Sequence, residues 1–275
     1  MIGFYFRESN ARSQVCQAKL KGLLDKRKIE YRDIVDESTF CSCDDIDLLI
    51  VFGGDGSVLR ASKIGCGEKP IVAINTGNVG FLTSYEEDNI EQLVEDIVNH
   101  KLTFVKRRFM QVECDNITYY ALNDAVIAKN YAKDPISECI KLSLKINDEL
   151  VDKYVADGLI LSTPTGSTAY AISAGGPIMA PNVNAFVAAP ICAHSLHSRP
   201  IVYSADCTAV VKILPESKEC ALYIDGKLEH NILPDTHVKF KNSDKFVKIC
   251  DNHGKFFSRL SEKLIKWTNN SFQEN

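Results

Sequence analysis

Residues 157–177 read Asp-Gly-Leu-Ile-Leu-Ser-Thr-Pro-Thr-Gly-Ser-Thr-Ala-Tyr-Ala-Ile-Ser-Ala-Gly-Gly-Pro. The apolar run at 159–161 predicts a strand, the Ser, Thr, Pro and Gly residues after it a turn, and the following segment a helix. Thr168 and Tyr170 would lie in the first helical turn, near exposed backbone N–H groups. Neutral donors and acceptors dominate the segment, and Asp157 is the one carboxylate at its entrance. It therefore suits a polar, uncharged ligand such as a nucleoside.

A second glycine-rich turn lies earlier in the chain. Residues 47–52 form an apolar run typical of a buried strand in a parallel sheet, Gly-Gly-Asp-Gly-Ser follows at 53–57, and 58–63 continue as a helix. A strand, a glycine turn and a helix aim backbone N–H groups and the helix dipole at a phosphate, and glycines allow its close approach. The predicted phosphate-binding residues are Gly53, Gly54, Gly56 and Ser57.

Asp55 is the unexpected residue of this turn, because a carboxylate repels phosphate unless it binds a metal ion or accepts a proton from a nucleophile. We expect it to act as the base for a hydroxyl group. A metal-ligand role and a plain helix N-cap remain open alternatives. Arg60 lies one helical turn further along and is a candidate phosphate contact, with an ordinary surface arginine as the equal alternative.

Further segments extend the pattern. Residues 74–83 contain a second glycine loop, Asn123-Asp124 is an Asn-acidic pair, residues 190–201 carry Pro-Ile-Cys-Ala-His-Ser-Leu and Arg-Pro-Ile, and residues 224–226 read Ile-Asp-Gly. In this order, and with the two turns above, these motifs resemble those of the NAD kinases over most of the chain. The Gly-Gly-Asp-Gly turn alone is less specific, since phosphofructokinases and diacylglycerol and sphingosine kinases share it.

The resemblance implies transfer of the γ-phosphoryl group of ATP to the adenosine 2′-hydroxyl of NAD, which yields NADP, and Asp55 is our candidate base for that reaction. It also implies a homodimer or homotetramer, for which the apolar strand at 185–192 is the expected interface. We expect Mg²⁺ to arrive with ATP and no metal site in the chain itself. The resemblance places Asp157 near the nicotinamide half of NAD. The other residues expected around NAD are Asn123, Asp124, Thr165, Thr168, Ala169, Tyr170 and Ser173.

Some of these assignments have structural alternatives. Asn123-Asp124 is also a common turn pair, and Tyr170 is equally suited to helix–sheet packing. Many family members carry a basic residue two positions before Asp157, where this chain has Val155. Lys153 or another residue would have to supply the contact that this basic residue makes to the dinucleotide.

The composition excludes several classes of protein. The 275 residues are 45% hydrophobic and carry a net charge of −4, so a full core is possible and non-specific nucleic-acid binding is disfavoured. No run approaches the ~20 apolar residues of a membrane span, and residues 1–6 are too short for a signal-peptide core. The ten cysteines include Cys41-Ser42-Cys43 but no Cys-x-x-Cys. We therefore expect reduced thiols in a cytoplasmic protein, without a membrane partner.

The hydrophobic pattern changes near residue 101. Before it, strands alternate with helices, which predicts a Rossmann-like α/β domain with a parallel sheet over 1–101. After it, short strand-like runs predict a mainly β, sandwich-like domain over 102–255, interrupted by a helix at 167–175. The amphipathic segment 256–275 predicts a helix that returns to the first domain. We expect the active site in the cleft between the domains.

Other functions fit the residues less well. A lipid or sugar kinase could share the Gly-Gly-Asp-Gly turn, but Thr-Pro-Thr-Gly-Ser-Thr-Ala-Tyr favours NAD as the acceptor. A non-catalytic NAD-binding regulator would not need Asp55. In a Rossmann oxidoreductase the first strand leads into Gly-x-Gly-x-x-Gly, whereas here it leads into residues 7–10, which contain no glycine. A Walker-type NTPase would need Gly-x-x-x-x-Gly-Lys-Ser/Thr, which the chain lacks.

Overall fold

The computed structural model describes residues 1–5, 11–34, 45–63, 69–77, 80–130, 138–251 and 256–270. The chain forms two compact units, Met1–Arg107 with Phe246–Asn275, and Arg108–Lys245. Cys41-Ser42-Cys43 and the Asn78-Val79 pair of the second glycine loop lie outside the described residues. No helix in the described part of the chain has both the length and the apolar character needed to cross a membrane.

The helices of the described residues are α1 (Ala11–Lys26), α2 (Asp55–Lys63), α3 (Ile90–Val98), α4 (Tyr170–Ser173) and α5 (Phe256–Asn270). The strands are β1 (Ile2–Tyr5), β2 (Tyr31–Ile34), β3 (Leu48–Phe52), β4 (Ile71–Asn75), β5 (Tyr85–Glu86), β6 (Phe104–Cys114), β7 (Ile117–Ala121), β8 (Asp124–Lys129), β9 (Ile140–Ile146), β10 (Glu149–Ala156), β11 (Gly158–Ser162), β12 (Ala185–Ile191), β13 (Ile201–Ser204), β14 (Ala209–Ile213), β15 (Cys220–Ile224), β16 (Lys227–Ile232) and β17 (His237–Cys250).

The first unit contains a parallel sheet with the strand order β2-β1-β3-β4. Every residue of β3 and β4 is buried, which explains their unbroken apolar sequences. The end of β17 joins this sheet, since Ile249 pairs with Ile71 of β4. Residues 246–250 therefore belong with the first unit, although the sequence analysis assigned them to the second domain. Helix α5 also belongs to the first unit, as expected.

The second unit is built from antiparallel strands. One sheet has the order β13-β12-β11-β8-β15-β16, and another run of strands has the order β10-β9-β14-β17. Two-residue turns join several neighbours, and both residues of each turn have positive φ: Asp115 and Asn116, Asn147 and Asp148, Asp225 and Gly226. Such turns match the twist of paired strands. The predicted fold class, a parallel α/β domain followed by a mainly β domain and a C-terminal helix, is confirmed.

Several predicted elements differ from the structure. Strand β17 has 14 residues, longer than the short strands predicted for the second domain. Strands β10, β13 and β16 were not predicted. The helix predicted at 167–175 is wrong in length, because Ala169 has non-helical backbone angles (φ −101°, ψ −123°) and Gly175 turns the chain away with φ 77°.

Two buried tyrosines of the second unit yield a stability prediction. The hydroxyls of Tyr154 and Tyr203 are buried and have no hydrogen-bond partner among the described residues. Burial raises the pKa of Tyr154 to about 12 and raises that of Tyr203 as well. Both hydroxyls therefore stay neutral at physiological pH.

We predict that Tyr203→Phe leaves the free energy of unfolding unchanged or raises it by up to about 1 kcal/mol, because a buried, unpaired hydroxyl is costly. Phe keeps the edge-to-face contact with Phe186, at 6.0 Å between ring centroids. The matched control is Tyr31→Phe, whose hydroxyl donates to Asp25 at 3.0 Å and whose loss should destabilise the chain. Urea denaturation measures both variants. A clear loss of stability in Tyr203→Phe would show that its hydroxyl has a partner.

Candidate active site

The predicted phosphate turn lies between β3 and α2 in the first unit. Gly53 has φ 144°, and its backbone N–H donates to the carbonyl of Ile74 on the neighbouring strand at 3.0 Å. A Cβ at Gly53 would lie 2.3 Å from the Ser57 hydroxyl oxygen, so only glycine fits. Gly56 and Arg60 are exposed and Ser57 is buried. The turn thus has the strand–glycine–helix form predicted from the sequence.

The Asp55 carboxylate contacts the second glycine loop rather than its own helix. Its two oxygens accept hydrogen bonds from the backbone N–H groups of Phe81 and Leu82, each at 2.9 Å. Lys263 of α5 pairs with the same carboxylate, at 3.7 Å between the nitrogen and the nearer oxygen. The helix N-cap alternative therefore does not describe this side chain. Asp55 joins the two glycine loops.

The second glycine loop is shaped to receive this carboxylate. A Cβ at Gly80 would lie 2.3 Å from the nearer oxygen of Asp55, so a side chain there would displace the carboxylate. The preceding part of the loop is held by Asn75, whose side-chain oxygen accepts from the N–H of Gly77 at 3.2 Å. The amide of Asn75 in turn donates to Glu86 at 2.9 Å. These contacts fix the backbone that holds Asp55.

A similar arrangement holds the Asn123-Asp124 pair in the second unit. The carboxylate of Asp225 accepts from the backbone N–H groups of Leu122, Asn123 and Asp124, at 3.1, 2.7 and 3.3 Å. Residues 224–226 form one of the sequence motifs, but Asp225 was not among the predicted site residues. The Asp-Gly pair indicates a turn at this position. The sequence does not show that the carboxylate contacts the backbone of residues 122–124.

The turn after β11 packs directly on Asn123. Thr163 donates its backbone N–H to the carbonyl of Asn123 at 2.9 Å and its hydroxyl to the carbonyl of Leu122 at 2.6 Å. A Cβ at Gly166 would lie 2.0 Å from the carbonyl oxygen of Asn123, so glycine permits the close approach. The second unit therefore brings Asn123-Asp124 and the 163–170 turn together.

The remaining residues predicted around NAD differ in exposure. Thr165, Thr168 and Ala169 are half-buried, and Ser173 is exposed. Tyr170 is 47% exposed, so about half of its surface is available to a ligand. These side chains lie on the turn and on the short helix α4, within one segment of the chain.

Asp157 faces a cation that the sequence analysis missed. The Lys129 ammonium lies 2.5 Å from an Asp157 oxygen, and its side chain is only 10% exposed. Residue Val155 is 40% exposed and Lys153 is also exposed. The Cys139 thiol lies 3.8 Å from the Asp157 carboxylate and 3.1 Å from His194. The basic partner of Asp157 is thus Lys129, on the adjacent strand β8.

One group of the described residues has the side-chain types of a metal site. The ligand atoms of Cys114, Asp115 and His230 lie within 4.8 Å of one another. His230 is already paired with Asp115 at 2.9 Å, and burial raises the pKa of the Cys114 thiol to about 12. A thiol that resists deprotonation is a poor metal ligand. Six cysteines of the described residues have free thiols: Cys16, Cys114, Cys139, Cys192, Cys207 and Cys220.

Comparison with known families decides the identity of this chain. The profile of the ATP-NAD kinase N-terminal domain matches residues 4–102, and that of the ATP-NAD kinase C-terminal domain matches residues 123–251. The chain belongs to the NAD kinase family. It is an ATP-dependent kinase that phosphorylates NAD to NADP.

Individual relatives agree with the NAD kinase assignment. The chain is 33% identical over 253 residues to the NAD kinase of Fusobacterium nucleatum, with 91% of each chain covered. It is 40% identical over 226 residues to a bifunctional NADP phosphatase/NAD kinase of Methanocaldococcus jannaschii, covering 80% of this chain but only 38% of that protein. Yeast NADH kinase, solved with NADH, has the same fold, with a TM-score of 0.84 at 20% identity over 100% of this chain and 88% of the other.

Gly80→Ala tests whether the second glycine loop holds Asp55. We predict that this variant loses at least about tenfold in the rate of NADP formation, because the new Cβ displaces the carboxylate that we expect to act as the base, and general-base catalysis is worth ~10²–10⁴-fold. The control is Gly77→Ala in the same loop, where an added Cβ meets nothing within 4 Å. Circular dichroism checks folding. Equal rates for the two alanine variants would contradict the predicted role of Gly80.

Proposed function

We propose that Asp55 is the base of the NAD kinase reaction. The adenosine 2′-oxygen of NAD bonds to the γ-phosphorus of ATP, the bond from that phosphorus to the β–γ bridging oxygen breaks, and ADP leaves. The hydroxyl proton passes to Asp55. The observation that supports this role is the orientation of the carboxylate by two backbone N–H groups. Each oxygen keeps a second lone pair with which to accept a proton.

The glycine turn of the first unit supplies the phosphate contacts in this proposal. The backbone N–H groups of Gly54 and Gly56 lie at the start of α2, where the helix dipole favours an anion. Those of Gly53 and Ser57 already donate to the carbonyls of Ile74 and Gly54, so these two residues shape the turn. Arg60 is exposed on the same helix and offers a further phosphate contact. ATP is the phosphoryl donor that the family name specifies.

Residues of the second unit bind NAD in this proposal. Asn123 offers a side-chain amide for the adenine edge, and Asp124 offers a carboxylate for ribose hydroxyls. Asp225 fixes the backbone of both. Tyr170 is exposed enough to contact a ligand. The half-buried or exposed residues Thr165, Thr168, Ala169 and Ser173 complete this set.

Asp157 and Lys129 serve the nicotinamide half of NAD in this proposal. Lys129 neutralises Asp157. It also supplies the positive charge that many family members carry at the position of Val155. Because the lysine is nearly buried, its charge has to be paired in the folded chain. The carboxylate is then free to accept from a ribose hydroxyl without adding net negative charge beside the pyrophosphate.

Mg²⁺ enters with ATP in this proposal and neutralises charge on the β- and γ-phosphates. The surroundings of Asp55 do not suit a metal ligand, since both oxygens accept N–H groups and an ammonium lies beside them. This favours the base over the metal-ligand role for Asp55.

We also propose a homodimer or homotetramer in the cytoplasm. Free thiols at six of the described cysteines support a reducing compartment. The interface expected at 185–192 is narrowed, because residues 185–190 of β12 are buried between β11 and β13 and only the end of the segment, at Cys192, is exposed. The adjacent segment with Leu196, whose side chain is 86% exposed, is a better candidate. Light scattering at micromolar concentration tests this, and a fully active monomer would contradict it.

Asp55→Asn tests the base directly. We predict that NADP formation from ATP, Mg²⁺ and NAD falls ~10²–10⁴-fold, whereas NAD still binds. Asn has one acceptor oxygen, so one of the two N–H bonds is lost and stability falls by about 1–3 kcal/mol. The control is Asp45→Asn, which removes an exposed partner of Arg32 and should leave the rate unchanged.

Three measurements on the Asp55→Asn variant distinguish a catalytic role of Asp55 from a purely structural one. They are the rate of NADP production, the affinity for NAD by calorimetry, and the midpoint of thermal unfolding. A folded variant that turns over within about threefold of wild type, well short of the general-base range, would remove Asp55 from the mechanism.

A further inference from the structure

One face of helix α5 covers the second glycine loop at Phe81. The Phe256 ring lies 5.9 Å from the Phe81 ring, between centroids, and Arg259 donates to the Phe81 carbonyl at 3.3 Å. The Lys263 ammonium lies 3.9 Å from the centroid of the Phe81 ring. The spacing of these three residues of α5 puts them on the same helix face. The C-terminal helix thus packs on Phe81, whose backbone N–H donates one of the hydrogen bonds to Asp55.

Lys263 extends from this face to Asp55. Its side chain is 16% exposed, and its nitrogen lies 3.7 Å from an Asp55 oxygen, which is within reach of an ion pair but too long for a strong hydrogen bond. Loss of water lowers the pKa of Lys263, and the Asp55 carboxylate opposes that effect. A half-desolvated cation is unfavourable unless an anion faces it. The position of this ammonium is therefore set by the carboxylate and by the Phe81 ring.

The charge of the site requires a cation near Asp55. The glycine turn is expected to receive the polyphosphate of ATP, and the Asp55 carboxylate begins the helix of that same turn. Its other partners, the N–H groups of Phe81 and Leu82, are neutral. In the part of the chain that the structure describes, Lys263 is the cation paired with Asp55. An ammonium has three donors, so Lys263 can face the carboxylate and still donate to a phosphate oxygen.

We propose that Lys263 is a positioning residue of the phosphoryl transfer: it holds the Asp55 carboxylate against the second glycine loop and screens it from the phosphates of the nucleotide. The proposal rests on the proposed function of Asp55 as base. It assigns to the C-terminal helix a direct part in binding a nucleoside triphosphate. It also explains why a partly buried cation and an aromatic ring meet beside the second glycine loop.

Lys263→Met tests the proposal, because Met keeps an unbranched apolar chain over Phe81 and removes the charge. We expect at least about a tenfold rise in KM for ATP, the size of a lost charge-assisted contact, with KM for NAD within about twofold. Lys263→Arg keeps a cation over the ring and should restore most of the ATP affinity. The matched control is Lys19→Met, which makes the same replacement at an exposed ion pair of the same unit and should behave as wild type.

Calorimetric titration of each variant with ATP and Mg²⁺, without NAD, measures the polyphosphate contact independently of catalysis. If wild type binds ATP but forms no NADP, the proposed function fails while this titration still tests Lys263. Unchanged ATP binding and KM in Lys263→Met would overturn the proposal. Equal losses in the Met and Arg variants, accompanied by equal losses of thermal stability, would also overturn it, since they would show a packing role. If Lys263→Met does not fold, Lys263→Gln is measured against the same criteria.

Discussion

The carboxylate of Asp55 between two backbone N–H groups is the contact on which the rest of the first unit's chemistry depends. It fixes the distance between the phosphate turn and the second glycine loop through bonds of 2.9 Å to Phe81 and Leu82. Charge-assisted hydrogen bonds of this kind are about twice as strong as neutral ones. Gly80 leaves room for the carboxylate, and Lys263 balances its charge. The acidic residue in a phosphate-binding turn is thus a structural link as well as a candidate base.

The second unit uses the same physical arrangement for a different purpose. Asp225 accepts three consecutive backbone N–H groups and so fixes Asn123 and Asp124 at the start of β8. Gly166 then allows the turn after β11 to approach the Asn123 carbonyl. In both units a carboxylate accepts hydrogen bonds from loop N–H groups that have no partner in a sheet. A nearby glycine, which has no side chain, leaves room for a close contact. Loops built in this way hold polar groups rigidly enough to bind a nucleotide.

The sequence predicted the parts of the fold that depend on local patterns and missed those that depend on distant contacts. The apolar run of β3 and the glycines after it specify a strand, a turn and the start of α2 without outside help. Strands β10 and β16 follow two-residue turns with positive φ, Asn147-Asp148 and Asp225-Gly226, so their signal was present but weak, because exposed strands have mixed sequences. Lys129 was missed because only the sheet brings it beside Asp157.

The most direct test of the account is a double-mutant cycle between Asp55 and Gly80, read as the rate of NADP formation. If Gly80 acts on catalysis by leaving room for the Asp55 carboxylate, Gly80→Ala should slow wild type strongly but have almost no further effect in the Asp55→Asn background. Coupling of this kind is expected for residues in contact. The double variant should then stay within about twofold of the rate of Asp55→Asn alone. Rate losses that multiply would show that the two residues act independently, and would contradict the central role given to this contact.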